Sequence, residues 1–317
     1  MKIHIPNSAF LGNIDSFLRS FDPADPSTLE ITSNPNWISI HPVVLSLIAA
    51  LGLTVKPPKI KIDDLVAVNA HYLKTMGLFN ILNVPCSLSS QQHAPDGRYI
   101  PLTQIDTSDQ LATFISDMIP LLHQPEHAKT IGYIISELGR NVLEHALAKN
   151  GAIMCAQYFV KSNTIRIGIA DTGLGIKKTI NQSHAAGSDK EAIRLALWPG
   201  ITGVTRKAGG NEQNAGAGLF FVRAIANTNR DHLILYSGKA FYKLKKTKEG
   251  KKTRLNADPF KDRHSISTDL PYWQGTAVGI DIALDKTQEY SRLLKAIHEI
   301  YYELRKTKTD YKKPIFL

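Results

Sequence analysis

Apolar positions along the first hundred residues alternate between short runs and helical spacings. Thr28–Ser33 and Lys59–Ile62 predict strands. Pro42–Gly52 predicts a helix that its proline opens and its glycine ends, and Asp64–Leu82 predicts a second amphipathic helix. Ser87–Pro101 is rich in Ser, Gln, Pro and Gly, which predicts a loop between two domains.

The rest of the chain predicts helices packed on a sheet. Helical spacing covers Ser108–His123, Ala128–Ala148, Lys190–Trp198, Ala217–Thr228 and Thr287–Lys306, and strand patterns cover Gly151–Val160, Thr164–Asp171, His232–Gly238 and Thr276–Leu284. We therefore expect an N-terminal α/β domain over 1–105, an α/β (α+β) two-layer sandwich over 106–285, and a C-terminal helix with a basic tail over 286–317.

Composition places the chain among globular proteins, with 43% apolar and 21% charged residues. The N-terminal residues do not form a basic start followed by an apolar core, so we expect no secretory signal. The most apolar run, Val43–Val55, is shorter than the ~20 residues of a membrane span. Cys86 and Cys155 lie far apart and predict neither a disulfide framework nor a metal site. We therefore expect a cytoplasmic protein without a membrane segment.

The net charge of +10 comes from two segments, Lys243–Arg254 with a balance of +6 and Arg305–Lys313 with +4. The first predicts a basic hairpin over about 240–256 whose strand ends join at Glu249-Gly250. Such a run binds nucleic-acid phosphates or an acidic partner, or it is a solvated hairpin that prevents edge-to-edge pairing. No aromatic residue interleaves Lys245–Arg254, so stacking of single-stranded bases is not indicated.

Three polar residues, Glu137, Asn141 and His145, follow one another at a spacing of four in a predicted helix. They share one face of that helix, and burial without partners would be costly, so we expect them to border a cleft. A carboxylate can orient or deprotonate a water, and an amide oxygen suits Mg²⁺. Taken alone, the stripe is also typical of an amphipathic surface helix.

Two further segments place polar groups beside glycines. Asp171 ends an apolar strand and is followed by Gly173 and Gly175, which allow the backbone to approach a ligand closely. The carboxylate could accept a hydrogen bond from an exocyclic amine, although an ordinary turn has the same residues. Thr276 follows Gly275 at the start of a strand, where its hydroxyl could lie near a purine edge.

A glycine pair, Gly216 and Gly218, precedes Leu219 at the start of an apolar helix. Backbone N–H groups at a helix N-terminus favour an anion. The chain contains no G-x-x-x-x-G-K-[ST] sequence, so this is not a P-loop. The pair also follows a polar loop rather than a strand and lacks a third glycine, so it is a poor dinucleotide fingerprint.

In this order and spacing the motifs resemble those of the GHKL superfamily of ATP-binding domains, which includes gyrase, heat-shock chaperone, histidine kinase and mismatch-repair types. Glu137 and Asn141 match the N box, Asp171–Gly175 the first glycine box, Gly216–Leu219 the second, and Gly275-Thr276 the last. The resemblance implies that Asn141 holds the Mg²⁺ of bound ATP, that Glu137 polarises a water or hydroxyl, and that Asp171 binds the adenine amine.

The resemblance also implies a mobile ATP lid over about 199–216. Arg206 and Lys207 in this segment would reach a terminal phosphate, or would belong to a solvated loop. His145 would contact phosphate or ribose, or be a structural histidine. Ile176 and Leu219 would complete the nucleotide contacts. Arg140 is expected to face away from the stripe and to form a salt bridge.

Within the superfamily, Asn141–Ala146 is most similar to the bacterial anti-sigma-factor serine kinases, which also have a histidine four residues after the asparagine. His93, His123 and His127 lack the phosphoacceptor context of a histidine kinase. The first hundred residues loosely resemble a STAS-like domain, the partner fold of the anti-sigma kinases. No hydroxyl residue stands at the start of the predicted Pro42 helix, so such a domain would dock rather than accept phosphate.

These resemblances imply an Mg·ATP-dependent regulatory protein, either a slow ATPase or an anti-sigma-type Ser/Thr kinase. One alternative is an ATP sensor or adaptor that does not turn ATP over and changes its partner contacts through the lid. Another is a basic nucleic-acid-binding module with an incidental nucleotide site. A STAS-type or sigma/anti-sigma-like protein partner and a homodimer are further expectations of the resemblance.

Overall fold

The computed structural model describes residues 1–63, 65–86, 88, 99–121, 126–201, 218–247, 255–284 and 299. Arg206, Lys207 and Gly216 of the predicted lid lie outside these residues. So do the joining residues Glu249-Gly250 of the predicted hairpin and, apart from Glu299, the predicted C-terminal helix and tail.

The N-terminal region forms a layer of short strands and helices. Its elements are β1 (Lys2–Ile5), β2 (Ser8–Ala9), α1 (Asp15–Arg19), β3 (Leu29–Ser33), β4 (Ser39–Ile40), α2 (Pro42–Gly52), β5 (Ile60–Ile62), α3 (His71–Thr75) and α4 (Leu78–Leu82). Strands β1, β3 and β5 form a parallel sheet in that order, and β2 pairs in parallel with β4. The predicted strands β3 and β5 and the predicted helix α2 are confirmed.

Local chemistry explains where the N-terminal helices begin and end. His41 caps α2 by accepting a hydrogen bond from the Val43 N–H through Nδ1 at 3.0 Å, and Pro42 occupies the first turn. The single helix predicted over Asp64–Leu82 is instead two short helices, α3 and α4. Gly77 between them has φ +80°, a left-handed conformation that interrupts an α-helix.

The remaining elements build one large sheet with helices. They are β6 (Tyr99–Ile105), α5 (Ser108–Met118), α6 (Glu126–Asn141), β7 (Ala152–Phe159), β8 (Thr164–Ala170), α7 (Ile176–Ile180), α8 (Asp189–Ala196), α9 (Gly218–Thr228), β9 (Leu233–Gly238), β10 (Ala240–Leu244), β11 (His264–Ser267) and β12 (Trp273–Ala283). Seven strands pair in the order β11-β10-β9-β12-β8-β7-β6, and every neighbouring pair is antiparallel. The predicted mixed α/β class is confirmed.

Two strands differ from the sequence-based expectation. Strand β6 begins at Tyr99, within the predicted linker, and pairs with β7, so it belongs to the large sheet rather than to the N-terminal region. It is an edge strand, where the missing N–H of Pro101 is tolerated. Strand β10 pairs with β11, which begins at His264, and the predicted strand end directly after Gly250 lies outside the described residues.

Both faces of the seven-stranded sheet are buried. One face packs against α5, α6, α7, α8 and α9, through residues such as Met154, Ile167 and Ile280. The other face packs against the N-terminal layer, through Ile153, Cys155, Ala170, Tyr236 and Phe241. The two-layer sandwich expected from the sequence therefore carries a third layer, since the N-terminal region shares a hydrophobic core with the sheet.

Helix α2 lies directly on the middle of β8. A Cβ atom at Gly168 would be 2.2 Å from the Val43 backbone nitrogen and 2.4 Å from the Pro42 carbonyl carbon. The contact therefore requires glycine, because helix backbone occupies the space of a side chain. Every residue of α2 is buried, as expected for a helix enclosed by other elements on all sides.

A charged cluster joins the N-terminal layer to the sheet beside α2. The carboxylate of Asp281 on β12 lies 3.3 Å from His41 Nε2, 3.3 Å from Arg166 Nε and 3.4 Å from His232 Nδ1. Burial opposes ionisation, but these contacts hold the pKa of Asp281 well below its usual value. The Arg166 guanidinium also lies over the ring of Phe10, 4.4 Å from its centroid.

Among the described residues, no helix combines the length and the apolar character that crossing a membrane would require.

We predict that Gly168→Ala destabilises the whole chain by at least about 2 kcal/mol, because the added methyl group meets helix backbone that cannot rotate away. The measurement is the free energy of unfolding from urea denaturation, followed by circular dichroism and by tryptophan fluorescence. Gly187→Ala is the matched control, since a Cβ there would meet only Glu191 Oε2, at 3.5 Å. Separate transitions for the two layers, or equal stability of both variants, would contradict the shared core.

Candidate functional site

The helix with the polar stripe changes its winding within the stripe. Helix α6 ends at Asn141, and Val142–Ala146 continues as a π-helix. The single α-helix predicted over Ala128–Ala148 therefore has a wider final turn, and His145 lies in it. Because π-helical turns hold more residues than α-helical turns, the spacing of four does not align His145 with Asn141 as predicted. Such turns are frequent at functional sites.

Glu137 faces the first residue of α9. A Cβ atom at Gly218 would lie 2.3 Å from Glu137 Oε2, so the carboxylate packs directly against this glycine and a side chain there would displace it. Burial raises the pKa of Glu137. A half-buried carboxylate with a raised pKa, next to a helix N-terminus, is suited to accepting a proton.

The side chain of Asn141 holds an unsatisfied amide. Its Nδ2 is buried and has no hydrogen-bond partner among the described residues. Buried side-chain amides are normally hydrogen-bonded, so an orphaned one calls for a ligand or water. The amide oxygen of the same side chain suits a hard cation.

Asp171 is a buried carboxylate just beyond the end of β8. Its side chain is almost fully enclosed, Oδ1 accepts a hydrogen bond from the Gly173 N–H at 2.8 Å, and its own N–H donates to the Thr276 carbonyl at 2.9 Å. Burial raises the pKa of Asp171 to about 7, although backbone hydrogen bonds from Gly173 and Thr276 to the carboxyl group oppose the rise. Asp171, directly after β8, therefore lies opposite Thr276 on the neighbouring strand β12. The two sequence motifs that contain these residues meet at this point.

Tight backbone contacts join the Asp171 turn to the polar helix. A Cβ at Gly173 would lie 2.1 Å from the Ala146 carbonyl oxygen, and the Leu174 N–H donates to that oxygen at 2.7 Å. Gly275 has φ +109°, and a Cβ there would meet the Asp171 carbonyl oxygen at 2.2 Å. The π-helical turn, the Asp171 turn and the start of β12 therefore meet at one place.

One residue of this junction was not found from the sequence. Ser237, near the end of β9, accepts a hydrogen bond from the Ile176 N–H at 2.9 Å and donates to the Gly275 carbonyl at 2.6 Å. It thus fixes Gly175 and Ile176, where α7 begins, against the turn before Thr276. A lone serine in an apolar strand gives no sequence signal for such a role.

The remaining predicted residues have simpler surroundings. Arg140 Nε lies 2.9 Å from Glu144 Oε1, which confirms the expected salt bridge. His145 is half-buried, with Nε2 4.0 Å from Glu144 Oε2. Leu219, the second residue of α9, is partly buried and packs against the core on the helix-covered face of the sheet.

The site would use few protein ligands for a metal. Within the described ranges, no group of three or more His, Cys, Asp or Glu side chains could hold a metal ion. The amide oxygen of Asn141 is of the kind that suits Mg²⁺, an ion that commonly takes its other oxygens from phosphates and water.

No family model matches the chain, and no curated protein is significantly similar to it. Its function is therefore inferred from the chemistry of the site.

We predict that Asp171→Asn stabilises the ligand-free protein above pH 7. The folded-state pKa is raised, so the native state binds more protons than the unfolded state, and stability is lost as pH rises from 3.8 to about 7. That rise in pKa corresponds to at most ~4 kcal/mol, which the neutral amide would recover. The gain should shrink as pH falls towards 4, and urea denaturation at several pH values measures it.

Asp269→Asn is the control for this prediction. Arg19 lowers the pKa of this exposed carboxyl, so the substitution should bring no gain above pH 7. Equal effects of the two substitutions, or a gain at Asp171 that does not vary with pH, would contradict a buried carboxylate with a raised pKa.

Proposed function

We propose that the chain binds Mg·ATP in the manner of the GHKL ATP-binding domains and acts as a nucleotide-dependent regulatory enzyme, a slow ATPase or an anti-sigma-type Ser/Thr kinase. The observation that supports it is the meeting of motifs that are far apart in sequence. The turn at Asp171–Gly175 contacts both the polar helix and the Gly275-Thr276 strand start, and Glu137 contacts Gly218.

Asp171 would select the adenine base. Its Oδ1 accepts a hydrogen bond from the Gly173 N–H, and a backbone hydrogen bond from Thr276 also reaches the carboxyl group. Each carboxylate oxygen has more than one lone pair, so a buried carboxylate held in this way is still a strong acceptor for an exocyclic amine. Thr276, on the neighbouring strand, would contribute a hydroxyl at the same end of the sheet.

Asn141 and the start of α9 would hold the charged part of the ligand. The amide oxygen of Asn141 suits the phosphate-bound cation, whereas its orphaned Nδ2 and the N-terminal N–H groups of α9 suit phosphate oxygens. When bound, Mg²⁺ would neutralise charge on the phosphates. Glu137, with its raised pKa, would accept a proton from the attacking water or protein hydroxyl.

The N-terminal layer would act as a docking or regulatory element and not as the phosphoacceptor. Ser46 in α2 is fully buried, with its Oγ 3.5 Å from Cys155 Sγ in the shared core. A phosphoryl group could not reach this hydroxyl while the layers are packed together. This agrees with the expectation of a STAS-like docking domain, which stays a proposal.

We predict that isothermal titration detects Mg²⁺-dependent ATP binding to the wild-type chain. Asn141→Ala should lose the Mg²⁺ dependence, and Asp171→Asn should weaken binding at least about tenfold, since the amide presents a donor to the adenine amine. Asn13→Ala is the control, because Asn13 bonds only within the N-terminal layer, to Phe10 and Ser8. Absence of ATP binding to wild type, or binding unaffected by both site substitutions, would overturn the proposal.

We predict that Glu137→Gln keeps ATP affinity but lowers phosphate release at least about 100-fold, since the amide cannot accept a proton. The measurement is single-turnover phosphate release with bound Mg·ATP. Glu144→Gln is the matched control about two turns away, because it removes only the contacts of Glu144 with Arg140 and His145. Equal rates for wild type and Glu137→Gln would leave a sensor that binds ATP without turnover.

A further inference from the structure

A basic groove lies between the N-terminal layer and the strands β10 and β11. Its volume is about 470 Å³. Its walls carry Gly12 and Asp15 from the N-terminal layer, and His232, Lys243, Lys245, Lys246, Arg263 and Ser265 from the sheet and its strand ends. Only Lys243, Lys245 and Lys246 of these residues belong to the lysine-rich run, so tertiary structure assembles the groove.

The β10–β11 ladder brings cations from separate segments together. Lys243 pairs in register with Ser265, and the Lys245 N–H donates to the Arg263 carbonyl at 2.8 Å, just beyond the paired strands. Arg263 Nη1 donates to the Lys246 carbonyl at 2.9 Å, which orients its guanidinium. The positions of Lys245, Lys246 and Arg263 are therefore fixed relative to one another by backbone hydrogen bonds.

Lys243 has a structural task in this groove. Its side chain is buried, and its ammonium group donates to the Gly12 carbonyl at 3.2 Å and pairs with Asp15. Asp15 is thereby neutralised. The groove is left with a net positive charge, which Lys245, Lys246 and Arg263 supply.

These three cations are available to a ligand. Lys245, Lys246 and Arg263 are exposed, and no acidic side chain in the described part of the chain pairs with them. Elsewhere, exposed cations such as Lys2 and Arg19 have acidic partners, at 3.0 Å and 3.1 Å. Three adjacent unpaired cations repel one another, and an anionic ligand would relieve this repulsion.

We propose that this groove binds the phosphodiester backbone of a nucleic-acid duplex. Its walls present ammonium, guanidinium, imidazole and hydroxyl groups but no large apolar side chain. Protein interfaces rely on apolar or aromatic anchors in their buried centre, whereas nucleic-acid interfaces are polar and positively charged. Without an aromatic ring on which bases could stack, the groove reads backbone charge, which favours a duplex over a single strand.

The groove is separate from the proposed nucleotide site. Strand β9 connects the two, since His232 directly precedes it and Ser237, which fixes Gly275, lies near its other end. At about 3.3 Å per residue, the five steps along the strand from His232 to Ser237 span roughly 17 Å. The two proposed sites share no residue, and the duplex is tested without nucleotide, so either proposal can fail alone.

The test is fluorescence anisotropy of a labelled duplex DNA of mixed sequence with the full chain, without nucleotide, between about 50 and 200 mM KCl. Lys245→Glu/Lys246→Glu should weaken binding at least tenfold at the lowest salt. It should also reduce the slope of log affinity against log salt by about two, one for each lost phosphate contact. Arg263→Gln should reduce the slope by about one, which provides a milder second variant.

Lys59→Glu/Lys61→Glu is the matched control. Both lysines are exposed beside β5, and the change in net charge is the same. It should keep at least half of the wild-type affinity, and circular dichroism should show all variants folded. Equal loss in both double variants, a salt slope unchanged by either groove variant, or tighter binding of poly-glutamate or of single-stranded DNA than of the duplex would overturn the proposal.

Discussion

The close contact between the backbone of α2 and the middle of β8 is the constraint on which the molecule depends. It exists because Gly168 leaves space that a side chain would fill. Through it the N-terminal layer covers the second face of the sheet, and the Asp281 cluster is closed off between them. The N-terminal region is therefore part of the core that holds β8 and β12, the strands beside the candidate site.

Burial of both sheet faces also explains the chemistry at the end of β8. Asp171 lies where the sheet, the π-helical turn and the start of β12 exclude water, so its carboxyl has a raised pKa. A ligand-free protein gains no stability from such a group. A hydrogen-bond donor on a ligand would offset the cost of this buried charge. Functional sites often lower the stability of the free protein in this way.

Charge on the surface is organised by strand pairing. The lysine-rich run looks uniform in sequence, but the structure divides it. Lys243 is buried against the N-terminal layer, whereas Lys245 and Lys246 join Arg263 in an open groove. One part of the basic run thus forms a structural ion pair, and another part contributes unpaired charge to the groove. The groove lies at the opposite end of β9 from the Asp171 turn.

Sequence alone determined the local elements and motifs, because periodicity, caps and glycines act over a few residues: α2, β3, β8, the Glu137–Asn141 stripe and the Asp171 turn all followed from it. It did not determine that β6 joins the large sheet, that β10 pairs with β11, or that Ser237 fixes Gly275. Those contacts join residues far apart in the chain, and only packing selects them. The third layer was not predicted for the same reason. A strand that is buried on both faces has the same apolar sequence whichever element covers its second face.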